Sequence, residues 1–153
     1  MATVEKDYEE LLRLFNRHKV RYCIVGAFAV AFYAVPRYTK DMDLFVEPNP
    51  VNARKIVKAL KEFGFSGIGL KAADFSQKGK TIQLGFEPVR VDLVTAIDGR
   101  QFEDVWKRRK KGSYGRQKVY FISLEDLIQN KRASGRAQDQ VDLKLLERRS
   151  GRA

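Results

Sequence analysis

Two hydrophobic periods alternate along the chain, one typical of helices and the other typical of strands. Apolar residues that recur every three to four positions among charged residues predict amphipathic helices. Short apolar runs rich in β-branched residues, or runs in which acidic and apolar residues alternate, predict strands. By these criteria the chain up to residue 97 has helices over 5–18, 27–35 and 51–63, and strands over 20–25, 41–46, 81–86 and 89–97.

The remaining segments carry weaker signals. Residues 65–80 contain glycines and no clear period, which predicts a surface loop or a lid. Beyond residue 100 we expect a helix over 101–109, a glycine-bearing turn, a strand over 119–122, a helix that begins at Ser123 and a last helix over 137–149. Ser123 suits a helix start because its side chain can cap free backbone N–H groups, and the acids after it favour the positive end of the helix dipole.

These elements predict one α/β (α+β) domain over residues 1–153, since a chain of this length buries one continuous core but hardly two. The strands over 81–86 and 89–97 have only Glu87 and Pro88 between them, so we expect them to be antiparallel neighbours. The expected architecture is a short, mixed, mostly antiparallel sheet with helices packed on one side. Its core covers residues 20–97, and a helical C-terminal extension covers residues 100–149.

Composition excludes several classes of protein. Hydrophobic residues make up 44% of the chain and charged residues 32%, a balance unlike that of disordered or membrane-spanning chains. The most apolar stretch, residues 22–35, is too short to cross a membrane, and the charged N-terminus is unlike a signal peptide. Cys23 is the one cysteine and lies in an apolar run, so it cannot form an internal disulfide. We therefore expect a cytoplasmic protein with a buried, inert thiol and no membrane partner.

The net charge of +11 is concentrated at the C-terminal end. Residues 1–99 carry 15 basic and 12 acidic side chains, whereas residues 100–153 carry 15 and 7. A basic surface attracts polyanions, so a nucleotide, tRNA or other RNA is a candidate partner, although the same charge also serves solubility. The densest basic run, residues 107–111 with Trp106 and Tyr114 nearby, can hold an RNA backbone while the rings stack on bases, or it can be a solvated helix face.

Two acidic residues of the strand over 41–46 are candidate metal ligands. Successive side chains of a strand point to opposite faces, so Asp41 and Asp43 lie side by side on one face. Two close carboxylates repel each other unless a cation or a basic group lies between them. A divalent metal meets this need, and oxygen ligands suit Mg²⁺ or Mn²⁺. The alternative is a solvated strand end at which the acids pair with Arg37 or Lys40.

A third acid, Asp92, lies on another strand with alternating faces and can join the first two, or it can pair with Arg90 on its own strand. Two-metal catalysis uses three such acids: one metal lowers the pKa of an attacking hydroxyl, and the other binds the triphosphate and stabilises the leaving pyrophosphate. Upstream, Gly26 joins a strand to a helix, and such a turn lets the backbone approach phosphate oxygens. Glycine also occurs in these turns for steric reasons alone.

Taken in order, these pieces resemble the nucleotidyltransferase superfamily related to DNA polymerase beta. The pieces are Val25-Gly26-Ala27, thirteen intervening residues, Asp41-Met42-Asp43-Leu44 and later Val91-Asp92-Leu93. The superfamily pattern is an apolar residue, glycine, and glycine or serine, then Asp-x-Asp or Asp-x-Glu, then a third acid between apolar residues. Ala27 departs from this pattern, because alanine offers phosphate a backbone N–H but no serine hydroxyl.

A finer resemblance extends over most of the chain. Small bacterial and archaeal nucleotidyltransferases of the minimal and toxin-type (abortive-infection) groups have a similar signature, matched here by Arg37, Thr39, Lys131, Gly135-Arg136, Asp139 and Asp142. The likeness implies a nucleotidyltransferase fold and, for some members of these groups, a partner protein in a toxin–antitoxin pair.

The resemblance also implies an activity and a site. The expected enzyme moves a nucleoside monophosphate from a nucleoside triphosphate to a hydroxyl of a tRNA end, a protein side chain or a small molecule. Asp41 and Asp43 would hold Mg²⁺ or Mn²⁺ together with Asp92, which would also activate the acceptor. Nucleotide-binding roles fall to Gly26, Ala27, Arg37, Thr39, Lys131, Arg136 and Asp139. The alternative function is a non-catalytic nucleotide- or RNA-binding module that retains the fold.

Overall fold

The computed structural model of the chain describes residues 5–34, 41–65, 69–86 and 89–151. Within these ranges helices and strands alternate in an α/β arrangement. The helices are α1 (Lys6–Arg17), α2 (Gly26–Tyr33), α3 (Pro50–Phe63), α4 (Ala73–Ser76), α5 (Phe102–Lys107), α6 (Leu124–Ser134) and α7 (Ala137–Arg149). The strands are β1 (Tyr22–Val25), β2 (Asp41–Val46), β3 (Thr81–Phe86), β4 (Val89–Val94), β5 (Lys110–Tyr114) and β6 (Gln117–Phe121).

The described strands form one mixed sheet in the order β3-β4-β2-β1-β6-β5. The pairs β1–β2, β3–β4 and β5–β6 are antiparallel, whereas β2–β4 and β1–β6 are parallel. The predicted mixed, mostly antiparallel sheet is therefore confirmed, as is the antiparallel β3–β4 pair. The parallel β2–β4 pair matters most for the site, because it sets the acids of two distant segments side by side.

The sequence predicted helices on one side of the sheet, but helices from different parts of the chain cover both of its faces. Tyr22 of β1 is opposite Val46 of β2, so Tyr22 and Phe45 point to opposite faces. Phe15 of α1 packs against Tyr22 with ring centres 5.9 Å apart, and Phe102 of α5 packs against Phe45 at 5.0 Å. Helix α5 therefore lies on the face opposite α1.

Strand β1 is buried along its whole length, because it lies inside the sheet and both of its faces are covered. Cys23 is one of these buried residues, and burial raises the pKa of its thiol to about 12. A thiol with this pKa stays protonated at neutral pH and is a poor nucleophile. This agrees with the inert thiol that the sequence predicts.

The sequence pattern missed two elements. Residues 110–114 were expected to form a turn, but they form β5, the edge strand that pairs with β6. The strand was missed because exposed Lys110 and Lys111 interrupt the alternation of apolar residues by which a strand is predicted. Lysines at a sheet edge disfavour pairing with other chains. The short helix α4 lies within the predicted loop 65–80 and buries Phe75. No helix in the described ranges is long and apolar enough to span a bilayer.

Candidate active site

A cleft of about 650 Å³ lies beside the ends of β1, β2 and β4. Alternation along β2 puts Asp41 and Asp43 on the face that also carries Phe45, under the C-terminal helices. Polar and charged side chains from six segments line the cleft. The lining residues are Val25, Gly26, Asp41, Asp43, Thr81, Asp92, Val94, Ala96, Ile97, Asp98, Asn130, Lys131, Ser134 and Arg136.

The deepest acids of the cleft are Asp43 and Asp92. The parallel register pairs Asp43 with Asp92 directly across β2 and β4, which brings the two carboxyl groups close together. Burial, followed by the negative charges of Asp92 and Asp41, raises the pKa of Asp43 to about 7, against an ordinary value of 3.8, and Lys131 opposes this rise. Asp43 is therefore partly protonated near neutral pH when no cation is bound.

Asp41 lines the same cleft but has a different partner. The register places Asp41 opposite Arg90, and the two form an ion pair in which Arg90 Nε lies 3.4 Å from Asp41 Oδ1. The alternative pairing of Arg90 with Asp92 is therefore not the one that forms. Within the described ranges, no three carboxylate, histidine or cysteine side chains are close enough together to enclose a metal ion. The three acids share one cleft, and mutual repulsion explains why one of them turns to an arginine.

Gly26 lines the cleft directly beside Asp43. It begins α2 directly after β1, and Val25 is the cross-strand partner of Asp43. Gly26 has φ +67°, and a Cβ at this position would collide with Oδ2 of Asp43. Only glycine suits both the backbone conformation and the close approach. The expected glycine turn therefore lies against the expected acid.

A buried cation faces the acids from α6. The Lys131 side chain is only 8% exposed, and its Nζ lies 3.0 Å from Asp139 Oδ1 and 3.3 Å from Asp142 Oδ2. Both carboxylates come from α7, so this ion-pair network joins the last two helices. A buried lysine held by two carboxylates has a fixed position, which suits a group that must meet a ligand in a defined place.

Arg136 and Ser134 complete the network around Asp139. Asp139 is 2% exposed, and it accepts hydrogen bonds from Ser134 Oγ at 2.7 Å and Arg136 Nε at 2.9 Å. Burial alone would raise the pKa of Asp139, but the hydrogen bonds from Ser134, Arg136 and Lys131 outweigh it and hold the pKa well below its usual range. Arg136 itself is 79% exposed at the mouth of the cleft.

Comparison with known protein families shows to which family the chain belongs. A family model described as "Nucleotidyl transferase of unknown function (DUF2204)" matches residues 4–152, which is nearly the whole chain. The chain belongs to this nucleotidyl transferase family. No curated protein sequence matches this nucleotidyl transferase significantly.

Solved structures agree with this family assignment at the level of the fold. The nucleotidyl transferase is similar to the lincomycin-bound lincosamide antibiotic adenylyltransferase LnuA, with TM-score 0.58, 18% identity, and coverage of 96% of this chain and 98% of that one. It is also similar to TM1012 of Thermotoga maritima, a candidate nucleotidyltransferase, with TM-score 0.60, 17% identity and 93% coverage of both chains. The predicted nucleotidyltransferase fold is confirmed, whereas the narrower toxin-type grouping is not.

The structure brings together some of the predicted site residues of this nucleotidyl transferase. Asp41, Asp43, Asp92, Gly26, Lys131 and Arg136 all line the cleft. Asp139 does not line it, and instead lies behind Lys131 and Arg136 as their shared acceptor. Ala27 lies in the first turn of α2 but is not part of the lining. The predictions for Arg37 and Thr39 fall outside the described residues.

Four polar residues of the cleft were not expected from the sequence. They are Thr81, Asp98, Asn130 and Ser134. Asn130 Nδ2 donates to the carbonyl of Asp98 at 2.9 Å, which ties α6 to the segment after β4. Thr81, Asp98 and Asn130 stand in no sequence pattern that marks them as site residues. Only the position of Ser134 between Lys131 and Gly135-Arg136 gave a signal that could have found it.

Proposed function

We propose that this protein transfers a nucleoside monophosphate from a nucleoside triphosphate to a hydroxyl group and releases pyrophosphate. Membership of the nucleotidyl transferase family supports the reaction type. The observation that carries the proposal is the opposed Asp43 and Asp92 pair, with the Gly26 turn packed directly against Asp43. Two acids and a close backbone approach serve a reaction on a polyphosphate, where positioning and charge stabilisation dominate catalysis.

The acids of the cleft fit a divalent cation. Oδ1 of Asp92 is buried and has no hydrogen-bond partner among the described residues, and burial together with the negative charges of Asp92 and Asp41 raises the pKa of Asp43. Both features would be relieved by a hard cation with oxygen ligands, such as Mg²⁺ or Mn²⁺. Asp43 and Asp92 would hold it, and Asp41 would join them once released from Arg90. Bound there, the metal would supply positive charge to the triphosphate and lower the pKa of the acceptor hydroxyl.

The chain's own residues would then have separate tasks. The backbone at Gly26 offers N–H groups at the start of α2, which can approach phosphate oxygens. Lys131 and Arg136 would neutralise phosphate charge from the opposite wall. Asp92 would accept the proton of the acceptor hydroxyl while its oxygen forms a bond to the α-phosphorus and the bond to pyrophosphate breaks.

Three classes of acceptor remain compatible with this reaction: a tRNA end, a protein side chain and a small molecule. The similar adenylyltransferase LnuA is described as acting on a lincosamide antibiotic, which is a small-molecule precedent on this fold. The buried, protonated Cys23 is compatible with the reducing cytoplasm that we expect for the protein. A partner protein of the toxin–antitoxin kind has no support beyond the sequence signature.

Label transfer tests the proposed function. The protein is incubated with each of the four α-labelled ribonucleoside triphosphates, with Mg²⁺ or Mn²⁺ and with pools of tRNA, protein and small-molecule acceptors. We expect metal-dependent label transfer that falls roughly 100-fold or more in Asp92→Asn, since this variant lacks the proton acceptor. Asp43→Asn should lose metal-dependent triphosphate binding.

Asp7→Asn is the matched control, because Asp7 is an exposed acid in the first turn of α1, away from the cleft. It should retain both triphosphate binding and transfer. The proposal fails if label transfer persists unchanged in Asp43→Asn and Asp92→Asn, or if no triphosphate binds to the unaltered protein at millimolar metal.

A further inference from the structure

A second cavity of about 480 Å³ adjoins the candidate active site. The two cavities share Ala96 and Ile97, which follow β4 and therefore continue the segment that carries Asp92. The other lining residues of this second cavity are Phe45, Glu47, Pro48, Asn49, Lys78, Thr95, Arg100, Gln101, Phe102, Glu103 and Asp104. A molecule in the second cavity would thus lie next to the proposed reaction centre without occupying it.

Aromatic rings form part of the second cavity. Phe45 and Phe102 meet edge to face with ring centres 5.0 Å apart, and both are almost fully buried. A pocket of a few hundred cubic ångströms that combines apolar rings with a few polar groups has the size and character of a small-molecule site. It is too small to follow an RNA backbone over several nucleotides.

The charges of the second cavity favour a cation. Of its two basic side chains, Arg100 has an acidic partner outside the cavity, since Arg100 Nε donates to buried Asp126 at 2.8 Å, whereas Lys78 Nζ donates at 2.8 Å to Gln101, a neutral residue of the same cavity. The side chains of Glu103 and Asp104, in the first turn of α5, form no hydrogen bond or ion pair within the described ranges, although the charge of Asp104 also acts on nearby Arg108. In a chain of net charge +11, this cavity therefore presents carboxylates whose charge is not compensated by a neighbouring ion pair.

We propose that the second cavity is the acceptor site, and that the acceptor is a small hydroxyl-bearing molecule with a protonated amine. The inference rests on the proposed nucleotidyl transfer and narrows it to one substrate class. The amine would bind Glu103 and Asp104, the carbon skeleton would pack near Phe45 and Phe102, and the hydroxyl would extend past Ala96 toward Asp92. The phosphates of tRNA would be repelled by the same carboxylates.

Two measurements test this assignment. The first is nuclear magnetic resonance of the labelled protein, titrated with a panel of amino sugars and aminocyclitols and with counterparts in which a hydroxyl replaces each amine. The second is label transfer from the α-labelled triphosphates to the same panel and to a tRNA pool. The variants are Glu103→Gln/Asp104→Asn and the control Asp7→Asn, which also removes a carboxylate from the first turn of a helix.

We expect amine members of the panel to shift the backbone signals of residues 45–49 and 95–104, and their uncharged counterparts not to do so. The double variant should raise the KM for the amine acceptor at least tenfold, with kcat and triphosphate affinity unchanged, and Asp7→Asn should match the unaltered protein. Transfer to tRNA but to no amine, an unchanged KM in the double variant, or an absence of amine-dependent shifts would overturn the acceptor assignment. Loss of triphosphate binding in the unaltered protein would instead count against the proposed function.

Discussion

Asp43 and Asp92 come from segments almost fifty residues apart, yet the parallel β2–β4 register puts them directly opposite each other. Burial and the negative charges of Asp92 and Asp41 raise the pKa of Asp43 to about 7, so ionising Asp43 beside Asp92 costs free energy at neutral pH. The fold therefore pays a cost in stability at neutral pH to keep two acids together. That cost is expected of a site that binds a cation and is hard to explain for a purely structural pair.

The first prediction concerns the pH dependence of stability. The pKa of Asp43 rises from 3.8 to about 7 on folding, so between these pH values the folded chain binds more protons than the unfolded chain. The contribution of Asp43 to the free energy of unfolding therefore falls as pH rises from about 4 to 7 and is constant above that range. Asp43→Asn should be more stable than the unaltered protein at pH 8. The difference between their free energies of unfolding should be roughly 2–4 kcal/mol more favourable to the variant at pH 8 than at pH 4.

Urea denaturation of both proteins at pH 4, 6 and 8 measures this difference. Comparing the two at each pH cancels the contributions of other groups, including Asp139, whose stabilisation is lost in acid. If Asp43→Asn gains no stability relative to the unaltered protein between pH 4 and 8, then burial and the neighbouring acids do not raise the pKa of Asp43.

A second prediction concerns the divalent cation. If Asp43 and Asp92 hold the metal, binding favours the folded state and raises its melting temperature by mass action. Mg²⁺ or Mn²⁺ at ten times its dissociation constant should stabilise the protein by about 1.4 kcal/mol at pH 8. The effect should disappear on chelation and be absent from Asp43→Asn. An equal rise in melting temperature for both proteins would assign the metal effect to another part of the surface.

The third prediction concerns the close approach of the Gly26 backbone to the Asp43 carboxylate. Gly26→Ala adds a Cβ that collides with the Asp43 carboxylate at a backbone φ of +67°, so we expect a loss of stability and of triphosphate binding. Gly79→Ala is the control, because Gly79 also has positive φ (+82°) but open space around its Cβ position. The control should show only the backbone strain, about 1 kcal/mol, with triphosphate affinity unchanged. Equal effects of the two substitutions would remove the steric argument for Gly26.

A fourth prediction separates the two cations of the cleft. Lys131→Met leaves Asp139 and Asp142 buried without their shared lysine and should cost about 3–5 kcal/mol of stability. Arg136→Gln removes a side chain that is 79% exposed and should cost less than about 1 kcal/mol. Both variants should bind triphosphate more weakly, which equilibrium titration can measure below the melting temperature. Unchanged affinity in the well-folded Arg136→Gln would exclude Arg136 from the triphosphate site.

Local patterns were sufficient to predict much of this site. Alternation along β2 placed Asp41 and Asp43 on one face, and the glycine after β1 marked a turn that the structure sets against Asp43. From the sequence alone, the pairing of β2 with β4 is a hypothesis, because the register between distant strands depends on the whole sheet and not on either strand alone.

Other features depended on contacts that no local pattern encodes. The burial of Asp139 behind Lys131 follows from how α6 and α7 pack, so its role as a shared acceptor was not visible in its sequence position. Asp41 and Arg90 meet only because β2 and β4 are in register. The edge strand β5 was missed because strands at a sheet edge need little apolar alternation.

The last prediction concerns the basic run over residues 107–111, which the sequence left open between an RNA site and a solvated face. Two of its cations have internal roles. The Arg109 guanidinium lies 3.8 Å from the centre of the Trp106 ring, and Arg108 Nη2 lies 2.8 Å from an oxygen of buried Asp126. Arg109→Gln should therefore cost about 1–2 kcal/mol of stability through the lost cation–π contact. Lys110→Gln, at an exposed neighbour, should stay within about 0.5 kcal/mol of the unaltered protein.

The exposed lysines of this run, Lys107, Lys110 and Lys111, remain available to a polyanion, and their combined replacement by glutamine tests that role. An amine-bearing small acceptor does not need them, so transfer to such an acceptor should be unchanged in the triple variant. If tRNA were the acceptor, the same variant should bind it more weakly and show a shallower dependence of affinity on salt, because fewer counterions are released. A fall in transfer to tRNA together with this change in salt dependence would identify these three lysines as part of the RNA-binding surface. It would also contradict a small-molecule acceptor.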